Sequence, residues 1–163
     1  MKMETLLLII TAVLTALVAG LFYAYSCSVV LGLGKLPDAE YLKAMQHINR
    51  EILNPVFFMS FMGTAILLPL SVFILRGDQP VFILLLAAAL TYLIGVFGVT
   101  IAGNVPLNDM LDKFDVAGST AEAIKQMRES FENRWNLLNN IRSVFSLISI
   151  ILVIGACIRY REL

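Results

Sequence analysis

Four long apolar runs, separated by short charged islands, constrain this chain more than any other feature. They extend from about Thr5 to Leu31, Pro55 to Leu75, Val81 to Ala102 and Ile141 to Tyr160. A helix needs about 20 apolar residues to cross about 30 Å of hydrocarbon. The first three runs meet this directly. The fourth is apolar from Val144 to Ile158, with Ile141 extending it and Tyr160 suited to the interface. Hydrocarbon offers no water to satisfy backbone polar groups, so each run must be a helix. The predicted fold is therefore all-α, a four-transmembrane-helix bundle formed by residues 1–163 as one domain. Composition agrees: 59% of residues are hydrophobic and 15% charged, against about 45–50% and about 25% in soluble domains. The formal net charge is zero, which leaves no electrostatic footprint for a nucleic-acid partner. The first run begins like a signal peptide, but it outlasts an h-region of about 7–15 residues and reads as an uncleaved span.

The connections differ in kind. Arg76-Gly-Asp-Gln-Pro80 is a tight polar turn, so the second and third spans form an antiparallel hairpin. The other two connections are long and helical in pattern. From Asp38 to Leu53, apolar positions Tyr41, Leu42, Met45, Ile48, Ile52 and Leu53 recur at helical spacing. Pro37 starts that helix, with Asp38 as its expected cap. Ser119 and Glu122 form a capping box, and the helix they open is expected to continue through Trp135 and Arg142 into the fourth span. Both connections are thus extramembrane helices covering one end of the bundle. Ala16 and Gly20 in the first span, and Ala87, Thr91 and Gly95 in the third, form small-residue rows expected to be packing seams. Cys27 and Cys157 lie far apart in apolar runs and read as small packing residues.

The termini and the hairpin turn share one side, with Lys2, Arg76, Arg159 and Arg161 near span ends. The other side carries more basic residues, spread over much longer stretches. The positive-inside rule weighs residues near span ends most heavily, and on that basis both termini are expected on the cytoplasmic side of a bacterial inner membrane.

The polar residues worth attention fall into three sets on the side of the long connections. The first is Gln46, His47, Asn49, Arg50 and Asn54. The second is Asn104, Asn108 and Asp109. The third is Trp135, Asn139 and Arg142, which share one helix face at i, i+4 and i+7. A four-helix topology brings all three to one end, as a polar mouth over an apolar bundle suited to a small apolar ligand. Each set also has a structural reading. The amides can satisfy loose backbone groups at helix ends, and Asn104 with Pro106 fits a cap and turn. Arg142 can snorkel, and Trp135 can anchor at the interface. His47, the sole histidine, is either an ordinary surface residue or a general base. One histidine, with Glu51 as its only co-ligand at i+4, does not make a zinc site. There is no Glu-x-x-His pair, phosphate loop, nucleophile elbow or dinucleotide fingerprint. The expectation is no metal and no cofactor.

The segments Ala44-Met-Gln-His-Ile-Asn49 with Asn54-Pro-Val-Phe57, Asn104-Val-Pro-Leu-Asn-Asp109, and Phe131 to Arg142 together resemble the signatures of the anthrone oxygenase-like membrane family. The resemblance covers nearly the whole chain. It implies a four-helix membrane protein, and some fungal members are linked to oxidation of anthrones to anthraquinones. The matching positions are Gln46, Asn49, Asn54, Asn104, Pro106, Asn108, Trp135, Asn139 and Arg142.

Two functional expectations follow. In the first, a metal-free oxygenase acts on an apolar phenolic aromatic, with His47 or Asp109 as base. Arg142 would stabilise the anion, and the asparagines Asn49, Asn54, Asn104, Asn108 and Asn139, with Gln46 and Trp135, would bind substrate. In the second, the chain is a non-enzymatic module that binds a lipid, a quinone-like ligand or a partner subunit. Membrane lipids are its surroundings in both, and a homo-oligomer is left open.

Overall fold

The computed structural model describes residues 2–160. Arg161, used above in reading orientation, lies outside the described residues. Five helices account for almost all of the rest: α1 (Met3–Leu33), α2 (Asp38–Glu51), α3 (Pro55–Ile74), α4 (Gln79–Asp112) and α5 (Ala121–Arg159). All but α2 are long and apolar enough to cross a membrane. Only 28–39% of each apolar window is buried inside the protein. The remaining apolar surface, including Leu17, Ile66, Ile94 and Ile151, points outward, which is the arrangement lipid requires and water opposes. The chain is a membrane protein.

Local chemistry explains most helix boundaries. Asn54 caps α3 by accepting from the Phe57 amide at 3.0 Å, and Pro55 occupies the first turn. Asp78 does the same for α4, with Pro80 following. Two expected caps shift by one residue. Thr120, not Ser119, caps α5 by accepting from the Ala123 amide, while the Ser119 hydroxyl donates back to the Asp115 carbonyl. Pro37 is the cap position of α2, and Asp38 sits inside its first turn with its carboxylate on Arg128.

The helices pack in three layers. At one end Leu8, Leu75, Val81, Leu85 and Ala156 join the termini side to the α3–α4 turn. In the middle Val18, Phe22, Phe61, Leu68, Tyr92 and Val153 draw on all four long helices. At the far end Tyr41, Leu42 and Met45 of α2 pack against Leu107, Leu111, Phe131 and Trp135. Between helices, hydrogen bonds add to dispersion. The Tyr92 hydroxyl donates to the Phe61 carbonyl at 2.8 Å, and Ser149 donates to the Ala88 carbonyl at 3.1 Å.

Three features differ from sequence expectation. First, the third span does not stop near Ala102. Its helix runs on to Asp112 through two π-helical stretches, Leu93–Gly98 and Thr100–Asn104. Pro106 in a regular helix would crowd the carbonyl four residues back, and the wider π turn ends just before it. Asn104 accordingly continues the helix, with no capping hydrogen bond. Second, Ala16 and Gly20 face outward, and a Cβ on Gly20 would meet nothing within 4 Å. Third, the α4 row is a seam only where Gly95 meets α5: a Cβ there would lie 2.7 Å from the Phe145 Cβ, besides overlapping its ring.

That last contact involves an atom that no rotamer change can move away. Gly95→Ala should therefore push α4 from α5 and cost about 1–3 kcal/mol. Gly20→Ala, with open space for its Cβ inside a helix, should cost nothing and raise stability by up to about 1 kcal/mol. Thermal unfolding of both variants in one detergent checks the contrast.

Candidate functional site

At the end covered by α2, the four long helices part around a cavity of about 350 Å³, within the size range of small-ligand sites. Its walls are aromatic. Phe57, Phe61 and Phe97 form a stacked row, with ring centroids 5.1 and 5.4 Å apart. Phe22, Tyr25 and Trp135 line it from α1 and α5. The i, i+4 spacing of Phe57 and Phe61 places both on one face of α3. Among the described residues, each π turn borders this region. One begins at Tyr25, one includes Phe97, and the third runs from Thr100 to Asn104. Such turns rotate the following side chains relative to a regular helix, and are frequent where a helix carries function.

The polar floor centres on Arg142. Its side chain is buried, with 6% of the residue exposed, and among the described residues it forms no ion pair. Nη2 donates to Asn139 Oδ1 at 3.0 Å and Nη1 to Thr100 Oγ1 at 3.3 Å, while Nε has no partner. The guanidinium lies 4.4 Å from the Phe22 ring centroid and 5.6 Å from that of Trp135, so cation–π attraction offsets part of its desolvation. Asn139 Nδ2 donates in turn to Ser26 Oγ at 3.0 Å, which fixes the amide orientation that receives Arg142. Asn104 is 1% exposed and neither of its side-chain polar atoms has a partner. Asn49 Nδ2 is likewise buried and unsatisfied. Each such group costs about 1–3 kcal/mol if left alone, and all of these residues line the one cavity. Three donors and one acceptor thus await a ligand or ordered water.

Six of the residues expected in the site meet here: Asn49, Asn104, Asn108, Trp135, Asn139 and Arg142. Trp135 Nε1 donates to Asn108 Oδ1 at 2.8 Å, tying α5 to α4. The other four lie elsewhere. Gln46 Nε2 donates to the carbonyls of Leu111 and Phe114, both at 2.9 Å, and so holds α2 against the end of α4. Asn54 is occupied as the α3 cap, with its Nδ2 on the Glu51 carbonyl. His47 and Asp109 are exposed and outside the cavity lining. Thr100, Tyr25 and the phenylalanine row were not anticipated, although Tyr25-Ser26 inside an apolar run was a visible signal.

A second set of bonds closes α2 over the cavity. Arg128 donates to the Leu36 carbonyl at 2.7 Å, the Gly34 carbonyl at 2.9 Å, Asp38 at 2.8 Å and Glu132 at 2.7 Å. Its guanidinium covers the Tyr41 ring at 4.5 Å. Burial pushes the Tyr41 hydroxyl well above its ordinary pKa, the Glu132 charge adds to this and Arg128 opposes it. Arg50 pairs with Asp112 at 2.6 Å on the exposed side.

This is a membrane-embedded four-helix bundle with an aromatic cavity whose floor carries a buried cation. A family model described as anthrone oxygenase matches residues 53–152. That is more than half of the chain, and it includes the Asn104 and Arg142 segments. The chain belongs to the anthrone oxygenase family. The match begins after Asn49, so the α2 contribution to the cavity lies outside the matched stretch. No curated protein and no solved structure matches the chain.

The Arg128 bonds generate a test of α2 closure. Arg128→Ala should lower the free energy of opening α2 by about 2 kcal/mol, a typical value for a charge-assisted hydrogen bond. Amide hydrogen exchange across residues 38–51 should then accelerate roughly thirty-fold, with the buried amides of α5 beyond residue 146 unchanged.

Proposed function

We propose that this protein oxygenates a planar, apolar carbon acid of the anthrone type, and that the cavity floor acts by stabilising its enolate. One observation carries the reading. A buried guanidinium without a carboxylate partner faces an aromatic cavity, beside buried amide groups that also lack partners. An unpaired charge at that depth is costly unless something of opposite sign arrives. An enolate oxygen is such a group, and its negative charge is absent from the neutral substrate. Arg142 Nε with the Asn49 and Asn104 amides would therefore favour the ionised state over the resting one, which is what accelerates a reaction. The stacked row of Phe57, Phe61 and Phe97 suits the flat face of a fused aromatic ring.

The reaction balances without a further reductant. The substrate methylene loses one proton to water and the enolate forms on Arg142. The carbanion carbon gives an electron pair to O₂, forming a C–O bond and a peroxide anion. That anion takes back one proton. Loss of water then breaks the O–O bond and the second C–H bond and leaves a carbonyl. The sum is one CH₂ and one O₂ giving one C=O and one H₂O. Because no histidine or acid among the described residues borders the cavity, the reading relies on the acidity of the substrate and on anion stabilisation more than on a side-chain base.

The test is oxygen uptake by purified protein in micelles given anthrone, against protein-free micelles. Uptake above background is expected. Arg142→Ala should reduce the excess rate about 10²–10³-fold, the usual loss for an oxyanion donor. His47→Ala and Asp109→Asn should each change it less than about two-fold. A loss on His47→Ala equal to that of Arg142→Ala would return the base role to α2. Binding of anthrone without oxygen uptake would instead support a lipid- or quinone-binding module.

A further inference from the structure

The rim of the cavity has a different chemistry from its floor. Five residues of the lining are exposed: Leu53, Phe58, Met62, Ile101 and Val105, at 65%, 42%, 39%, 53% and 41%. Every one is apolar. Leu53 just precedes α3, Phe58 and Met62 lie in its first half, and Ile101 and Val105 lie on α4; α3 and α4 pack together chiefly nearer their shared turn, in the Gln79–Tyr92 part of α4. The polar groups, by contrast, are buried at the inner end. Asn104, Asn139 and Arg142 are exposed by no more than 6%. On the aqueous side the cavity is roofed by Ile48 and Asn49 of α2 and by Ile52 just after it, and Gln46 and Arg128 hold α2 in place.

We propose that the cavity opens sideways into the bilayer, between α3 and α4, and that its ligand is drawn from the hydrocarbon and not from water. Three observations converge. A mouth onto water would carry polar side chains at its rim, because exposed apolar groups are favourable only against lipid. The rim also lies deep enough. Met62 is eight residues beyond the Asn54 cap, roughly 12 Å along the helix at about 1.5 Å per residue, which is within the hydrocarbon half-thickness. Apart from Arg142, one threonine and a few amides, the walls are aromatic and aliphatic, which favours a neutral, flat species on the way in. Charge develops only at the end of the path, beside the guanidinium. The ligand class is thus a membrane-dissolved, uncharged aromatic, and water-borne anions are excluded by the walls before they reach the cation that would attract them. This inference rests on the cavity of the proposed function, not on its oxygen chemistry.

Trp135 is the only tryptophan. It lines the cavity and is 4% exposed, so its fluorescence reports on what enters. The experiment uses the full chain in phosphatidylcholine vesicles, with and without bromine on the acyl chains, a contact quencher confined to the hydrocarbon. Brominated vesicles should lower Trp135 emission at least about two-fold, and aqueous iodide should not. Met62→Phe with Ile101→Phe, which narrows the gap, should abolish most of the bromolipid effect. Ile151→Phe, lipid-facing on α5 and outside the cavity, should not. Each single substitution should give part of the loss if the pair does not fold. Quenching by iodide but not by bromolipid overturns the proposal, as does bromolipid quenching indifferent to Met62 and Ile101. Since no anthrone is added and no oxygen uptake is read, failure here is separate from failure of the oxygenation reading.

Discussion

A buried guanidinium with no carboxylate to neutralise it organises the covered end of this bundle. Charge inside a membrane bundle is expensive, and the surroundings of Arg142 can be read as the means of holding it there. Phe22 and Trp135 present ring faces to it. Asn139 and Thr100 accept from its two terminal nitrogens. Ser26 orients Asn139 from α1. Residues from α1, α4 and α5 therefore meet around one side chain, and the cavity is the space left on the side they do not fill. Full neutralisation by a protein carboxylate would have stabilised the resting protein and cancelled the attraction for an anion.

The same logic bears on the helices. A regular α4 ending near residue 102 would give neither a continuous wall nor a place for Asn104 to point inward. The consecutive π turns from Leu93 to Asn104 carry the helix past Pro106 while keeping Phe97, Thr100 and Asn104 on the cavity lining. Close packing at Gly95 holds α4 against α5 one layer below. The helix is thus tight against α5 where the core is solid and divergent from α3 where the cavity begins.

The sequence made the scaffold legible and the site only half so. Spans could be read because lipid imposes a length and a composition that few other structures share. The α2 helix could be read because Tyr41, Leu42 and Met45 recur at its period. Asn104, Asn139 and Arg142 stood out because polar groups near span ends are conspicuous. Gln46 and Asn54 stood out for the same reason, yet serve backbone carbonyls and an amide. Composition alone cannot separate an amide that closes a helix end from one that waits for a ligand, since both need the same residue type at the same level. The phenylalanine row was invisible for the opposite reason: in an apolar run, a residue facing a cavity and one facing lipid look alike. The cap lies at Thr120 and not Ser119 although either hydroxyl can accept from an amide, and the Ser119 hydroxyl is bonded to the Asp115 carbonyl instead.

Under the proposed enolate chemistry, the distribution of polarity along the cavity would also order events in time. On the proposed lateral route past Met62 and Ile101, a ligand would first meet the phenylalanine row and would gain charge stabilisation only at the floor. A group that becomes anionic there is held by Arg142 and the unsatisfied amides. A neutral product is not held and faces the same apolar path outward. Retention would then be tied to the charged state alone, so the route and the floor form one selective device. On the proposed chemistry, capture of an enolate and release of a neutral product would require no moving lid, with α2 held by Arg128 and Gln46 throughout.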